Sequence, residues 1–481
     1  MDFIWTLIKG GVVLIQVILV FNVLIVVHEL GHFLAARWRG LKIDKFQVWF
    51  GKCLWKKRIG GVQYGLGTIP AGGFVALPQM APMEVLEGAN EKIEAEALAP
   101  ISPLDKIIVA IAGPLFSILL ALVFGMVVWV VGYPKRVIES TVIGFVQEGS
   151  PAEEAGLMAG DEIVTINGDE VHQFFGMLDS VIERISMSEG EIIRVGVRRP
   201  GEGGILYFDS GFLKEGGGLT TRPGLRKIGI GNHMSLVVES VLKDSPAERA
   251  GLLPGDEVVA ANGTKLYSDQ VLVGMTKAEV PMMLEVMREG EAASRVVELT
   301  PVRPIQPEGV DPMLGIRWSN TFFSEALDHP TPIAQVVFSM RLIWRTISAV
   351  ASPDSDVSVK HLSGPVGISN HYFSMLRAPD GWRMVFWFSV VLNVNLAVLN
   401  MLPFPVLDGG HITMALAEMI RRKPVNIRVI EVLQTACALL LISFMIFVTW
   451  FDSADTVRDV GNSMAQEELL PIKFAPPAGT Q

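Results

Sequence analysis

The chain has 481 residues, half of them hydrophobic, with a mean hydropathy of +0.41 and a formal net charge of −10. Such hydrophobicity excludes an ordinary soluble enzyme and points to a membrane protein. The acidic balance, with no Lys/Arg-rich run, excludes a nucleic-acid partner. Cys53 follows a basic loop and Cys437 lies in an apolar run, so they do not suit a shared disulfide and say little about compartment.

From the N-terminus, Phe3 to Val27 is the first apolar run, long enough for a bilayer-spanning helix of about 20 residues. The helical pattern continues to Arg37 and no basic n-region precedes it. Residues 1–37 therefore read as a retained first transmembrane helix, not a signal peptide. His28-Glu29-Leu30-Gly31-His32 lies on its end. Residues four apart share a helix face, so His28 and His32 can reach one metal ion, with Glu29 placed beside the reacting water. Ionisable groups at that depth cost ~2.5–3.5 kcal/mol each on insertion scales and require a compensating partner. The competing reading is an interfacial cluster that touches headgroups.

Residues 38–103 read as a cytoplasmic, membrane-associated β-rich loop. Between Arg37 and Arg58 there are eight Lys/Arg and one acid, Asp44. The glycine-rich stretch from Tyr64 to Val75, with Gly72 and Gly73, reads as strand and turn. It is either an edge for β-addition of a substrate or a plain hairpin. Glu84 to Glu96 reads as a solvated helix or linker. Residues 104–132 form a second transmembrane helix, uncharged from Ile107 to Gly132.

An internal repeat follows. SPAEEAGLMAGDEIVTING from Ser150 and SPAERAGLLPGDEVVAANG from Ser245 match at 13 of 19 positions, offset by 95. Each copy reads as a small helix, a Gly-Asp turn, a β-rich run and an Asn-Gly turn, and resembles the PDZ domains of bacterial proteases. The expected modules are residues 136–221 and 222–304. Each is either a peptide-binding domain or a plain spacer. Residues 305–383 read as a periplasmic helical linker, in which Pro332 to Val350 is an interfacial helix or an ordinary core helix.

Residues 384–411 form the third transmembrane segment, with Asn393, Asn395 and Asn400, and end in NMLPFPVLDGGH. Asp408 is the candidate third metal ligand, a helix cap being the alternative. Asn400 is either a partner for an unwound substrate backbone or a helix–helix hydrogen bond. Pro403 and Pro405 lack N–H groups and are expected to leave an extended wall beside the metal. His411 either orients Asp408 or faces water. Residues 412–451 hold a basic loop (Arg421, Arg422, Lys423, Arg428) and a fourth transmembrane helix, Val432 to Trp450; residues 452–481 form a tail. Both basic loops belong in the cytoplasm, which puts the repeats, the tail and the N-terminus outside.

HELGH in the first span and LDGGH at the end of a later one resemble the site-2 proteases, in particular those with tandem PDZ domains. The resemblance covers most of the chain, from the first span to the fourth. It implies zinc (Zn2+) held by His28, His32 and Asp408, with Glu29 catalytic. It implies a bacterial inner-membrane enzyme of regulated intramembrane proteolysis. Its substrates would be previously trimmed single-span proteins, an anti-sigma factor or remnant signal peptide, and the PDZ pair would exclude bulky ectodomains. One position departs: Gly113-Pro114-Leu115-Phe116-Ser117 ends in serine where the family often has asparagine, leaving Ser117 either a carried-over role or a small polar helix contact. The expected fold is thus an α-helical polytopic membrane protein with four transmembrane helices and two inserted α/β PDZ domains. The expected partners are single-span substrates, the lipid bilayer and peptide ligands of the PDZ domains. A non-catalytic PDZ membrane scaffold leaves the His28, Glu29, His32 and Asp408 set unexplained. A transporter would show an inverted repeat of the spans, and none is present in the sequence.

Overall fold

The computed structural model describes residues 2–80, 101–135, 137–291, 293–319, 327–423, 427–467 and 471–476. The acidic stretch Glu84–Glu96 lies outside them. In chain order, α1 (Asp2–Trp38) leads into four strands, β1 (Lys45–Phe50), β2 (Trp55–Ile59), β3 (Val62–Leu66) and β4 (Ile69–Ala76). Then come α2 (Pro103–Val131) and β5 (Tyr133–Pro134). The first repeat holds β6 (Ile143–Val146), α3 (Pro151–Glu154), β7 (Glu162–Ile166), β8 (Asp169–Glu170), α4 (Val181–Ser186), β9 (Ile193–Arg198), β10 (Leu206–Ser210) and β11 (Ile230–Asn232). The second holds β12 (Val238–Val241), α5 (Pro246–Arg249), β13 (Glu257–Ala261), β14 (Thr264–Lys265), α6 (Asp269–Thr276), β15 (Met282–Met287), β16 (Arg295–Leu299) and β17 (Ile316–Trp318). β18 (Leu327–Asp328), α7 (Pro332–Ala351), α8 (Pro365–Arg377), α9 (Gly381–Asn400), α10 (Asp408–Arg421) and α11 (Ile427–Glu467) complete the chain.

Two compact units emerge. The first comprises Met1–Pro134, Leu327–Thr346 and Ser363–Ser453. The second comprises Lys135–Ala326, Ile347–Leu362 and Ala454–Gln481. Among the described residues five helices are long and apolar enough to cross a membrane: Gly11–Trp38, Pro103–Val131, Pro332–Ala351, Gly381–Asn400 and Arg428–Gly461. Four correspond to the expected spans. The fifth is the segment read as interfacial or core; its Val336 packs with Ala121 of α2 and with Val390 and Val394 of α9.

In the first unit, α2 packs against both α1 and α9. Small residues make this closeness feasible. A Cβ on Gly31 would lie 2.3 Å from the Ala112 carbonyl oxygen, so the glycine of HELGH sets the α1–α2 approach. The sheet runs in the order β2-β3-β1-β4, with β1 antiparallel to β4 and parallel to β3. Trp49, at a register shift between β1 and β4, donates its indole N–H to Asn22 of α1. Phe33 of α1 packs edge-on against Phe46 and Tyr64. The sheet therefore lies back along α1, past the level of the histidines, with β4 as the edge strand on that helix.

In the second unit, the repeats fold alike. β10-β9-β7-β8 in the first corresponds to β16-β15-β13-β14 in the second, and each copy adds a two-stranded pair, β6 with β11 and β12 with β17. Each has its own apolar core, Ile143, Ile163, Ile193 and Val195 in one, Leu236, Met282, Leu284 and Val286 in the other. The tail joins the second copy: Lys473 pairs with Gln306, and Phe474 is 4% exposed.

Candidate metal centre

His28 and His32 stand one turn apart on α1, rings edge-on with centroids 4.9 Å apart and Nε2 atoms 3.2 Å from each other. Asp408, the first residue of α10, meets them from the other end of the chain. Its Oδ2 lies 3.3 Å from His28 Nε2 and its Oδ1 3.3 Å from His32 Nε2. His28 and Asp408 are buried, and His32 nearly so.

Asp408 reaches this place because α9 stops at Asn400 and the chain doubles back. Phe404 N–H donates to the Leu402 carbonyl at 2.8 Å and Leu407 N–H to the Phe404 carbonyl at 2.9 Å. The next turn begins α10. A Cβ on Gly409 would sit 2.2 Å from the Met401 carbonyl oxygen, and one on Gly410 2.1 Å from that of Phe404. The two glycines after Asp408 are thus required by the fold-back, and the prolines form a compact turn where an extended wall was expected. Pro403 and Pro405 do not line the cavity described below; the Pro405 carbonyl instead accepts from Gln434 of α11 at 3.1 Å.

The residues fit a zinc ion. One ligand atom from each of the three side chains falls within a set whose members lie within 4.8 Å of one another. Two imidazoles and a carboxylate are a catalytic zinc donor set that leaves the fourth position open. Asp408 Oδ2 is buried with no hydrogen-bond donor among the described residues, a costly state for a carboxylate oxygen. α2 leaves the space clear: a Cβ on Gly113 would stand 2.2 Å from His32 Nε2 and 2.8 Å from His28 Nε2.

These groups open on a cavity of about 160 Å³ that Glu29, Val75, Leu77, Asn400 and His411 also line. Glu29 shares the cavity wall with Val75 of edge strand β4. Gly73 stands beside Glu29, its would-be Cβ 3.8 Å from Glu29 Cγ. Gly72 turns away, with φ +84° and its would-be Cβ 2.0 Å from the Phe50 ring. Asn400 Nδ2 is 3.3 Å from His28 Nε2. His411 is 7% exposed on the cavity wall, and its Nε2 has no hydrogen-bond partner among the described residues.

Sequence reasoning left out α2's part. Val109 was not singled out, Gly113 was named without a role and Ser117 stayed open, yet the carbonyl of Val109 and the hydroxyl of Ser117 each meet one imidazole. The available signal was spacing: residues 109, 113 and 117 fall four apart on one helix face.

Known proteins resemble the chain over most of its length. The profile of the family described as Peptidase family M50 matches residues 16–444. Identity is 29% over 483 residues to the Regulator of sigma E protease of Haemophilus influenzae, covering 94% of this chain and 99% of that one. It is 27% over 449 residues to Protease RseP of Yersinia pestis, covering 89% and 95%. A Neisseria meningitidis protein carrying a zinc metalloprotease name is 29% identical over 463 residues, covering 92% and 98%.

Proposed function

We propose, given that this chain belongs to peptidase family M50 and is a zinc metalloprotease of the membrane, that it cuts the transmembrane segments of single-span proteins already shortened by another protease. The convergence of His28 and His32, in the last third of apolar helix α1, with Asp408, just beyond apolar helix α9, carries this reading. A bound zinc ion supplies Lewis acidity and a water acidic enough to attack at neutral pH. Glu29 takes the proton of the attacking water and returns it to the leaving amine. Glu29 lines the cavity together with the three proposed ligands.

A membrane helix hides its peptide bonds in its own hydrogen bonds, so the substrate must unwind before attack. The edge of β4, with Gly73 beside Glu29, offers backbone partners to an unwound segment by strand addition. Asn400 supplies a side-chain amide at the same place. The name of the Haemophilus influenzae relative favours an anti-sigma factor as substrate, in regulated intramembrane proteolysis at a bacterial inner membrane. A remnant signal peptide has the same trimmed, single-span form.

The two repeats are read as periplasmic PDZ modules that exclude bulky ectodomains. The second has a groove of about 840 Å³ between α6 and β17, lined by Leu272, Val273, Met313, Ile316 and Trp318. That is the size of a ligand pocket, and it suits an extended peptide laid against β17.

Glu29→Gln should keep about one zinc per chain yet lower cleavage of a reconstituted single-span substrate by about a thousandfold. Cleavage at the unmodified rate would reject Glu29 as the base. The sieve is tested separately with long and trimmed substrates, with and without residues 136–304. Only the long substrate should gain.

A further inference from the structure

α2 meets the metal centre through a stripe of three residues that the ligand set does not include. Val109 presents its carbonyl oxygen 2.8 Å from His32 Nδ1. Ser117 presents Oγ 3.0 Å from His28 Nδ1. Gly113, midway between them, gives no side chain and leaves room for both Nε2 atoms. Val109 and Ser117 stand eight residues apart on α2 and the histidines four apart on α1, and each imidazole faces one support.

The supports bear on tautomers. A neutral imidazole offers a lone pair to a metal from one nitrogen only while the proton sits on the other. Both Nε2 atoms face the third proposed ligand, Asp408, so with zinc bound to them both Nδ1 atoms would carry the proton. A carbonyl only accepts, so Val109 holds His32 in that state. A hydroxyl rotates and can accept equally well. Ser117 is fully buried, with no water to replace its oxygen.

We propose that Ser117 is a positioning residue of the metal centre: it accepts the His28 Nδ1–H and so fixes the tautomer and ring orientation in which Nε2 binds zinc. This also accounts for the departure in GPLFS, since an asparagine at that position would carry an acceptor oxygen too. The inference rests on the zinc reading of the site, and the test separates the two.

The zinc dissociation constant of the full-length, reconstituted chain is measured by competition with a chelator, alongside thermal unfolding of the metal-free protein. Ser117→Ala should weaken zinc binding about tenfold, as loss of a partner to a ligating histidine does. The metal-free unfolding midpoint should stay where it is, because without zinc the His28 proton can move to Nε2, which faces the Asp408 carboxylate. Ser117→Thr, which keeps the hydroxyl, should hold zinc as the unmodified chain does. Zinc affinity of Ser117→Ala within twofold of the unmodified chain overturns the proposal, as does Ser117→Thr as weak as the alanine variant. If the unmodified chain binds no zinc, the reading of the site itself fails.

Discussion

At the scale of single residues, the proposed metal centre depends as much on missing side chains as on present ones. Gly31 lets α1 approach α2, Gly113 keeps α2 clear of both imidazoles, and Gly409 and Gly410 let the chain turn Asp408 inward. Gly113→Ala is the sharpest probe, because the added methyl meets ring nitrogens held by Val109 and Ser117 and not the end of a flexible chain. Zinc content after dialysis against a weak chelator should fall sharply, matching a loss of affinity of about a hundredfold. Near-full retention of zinc would mean that the rings can move aside. Nothing in the sequence marks Gly113 as different from other glycines in apolar helices, since its partner atoms lie about 80 residues away.

At the scale of elements, the repeats show how one short motif builds a folded unit. Ser150 and Ser245 cap α3 and α5, each accepting from the N–H three residues on, while Glu153 and Glu248 reach back to the N–H groups of Gly149 and Asp244. This is a variant of the capping box in which the glutamate reaches one residue beyond the cap, and its S-x-x-E pattern is legible in S-P-A-E itself. The expected Gly-Asp turns are present, closed by Asp161 N–H on the Met158 carbonyl and Asp256 N–H on that of Leu253, and their aspartates have a second role. Asp161 and Asp256 are each 1% exposed. Each takes a two-pronged bond from an arginine at the end of a later strand, Arg199 and Arg288, and an N–H from Met158 and Leu253. The Arg288 guanidinium beside Asp256 holds its carboxyl below the ordinary carboxylate range, burial opposing. A carboxyl lowered in the folded state contributes stability above its unfolded pKa and loses it as pH falls through the folded one. The second repeat should therefore hold its stability down to pH about 4 and lose it below that range. Asp256→Asn should cost about 2–3 kcal/mol at neutral pH and flatten that acid limb, as read from thermal unfolding followed across pH.

At the scale of the whole molecule, the longest excursion from the first unit, Lys135–Ala326, leaves and returns at one place. β5 and β18 pair antiparallel, with Pro134 opposite Leu327 and Tyr133 opposite Asp328. Paired Cα atoms in such a ladder are about 5 Å apart, so the long insertion between them closes on itself. Replacing residues 136–325 by a short Gly-Ser linker should leave zinc stoichiometry at about one per chain. Loss of zinc would show that the insertion is needed to assemble the membrane helices around His28 and Asp408.

Local chemistry was enough to place His28, Glu29 and His32, because helix periodicity alone puts the two imidazoles on one face. Asp408 and its glycines were legible as a short run at the end of an apolar span, and the repeats as duplicated text. The turn at Met401–Leu407, the arginines that meet Asp161 and Asp256, and the supports from Val109 and Ser117 were not. Each of these depends on atoms far apart in sequence that meet only when helices and strands pack, and residue type does not say which backbone carbonyl or hydroxyl a ring will face. Packing of α2 between α1 and α9 turned a pair of histidines and a distant aspartate into one centre.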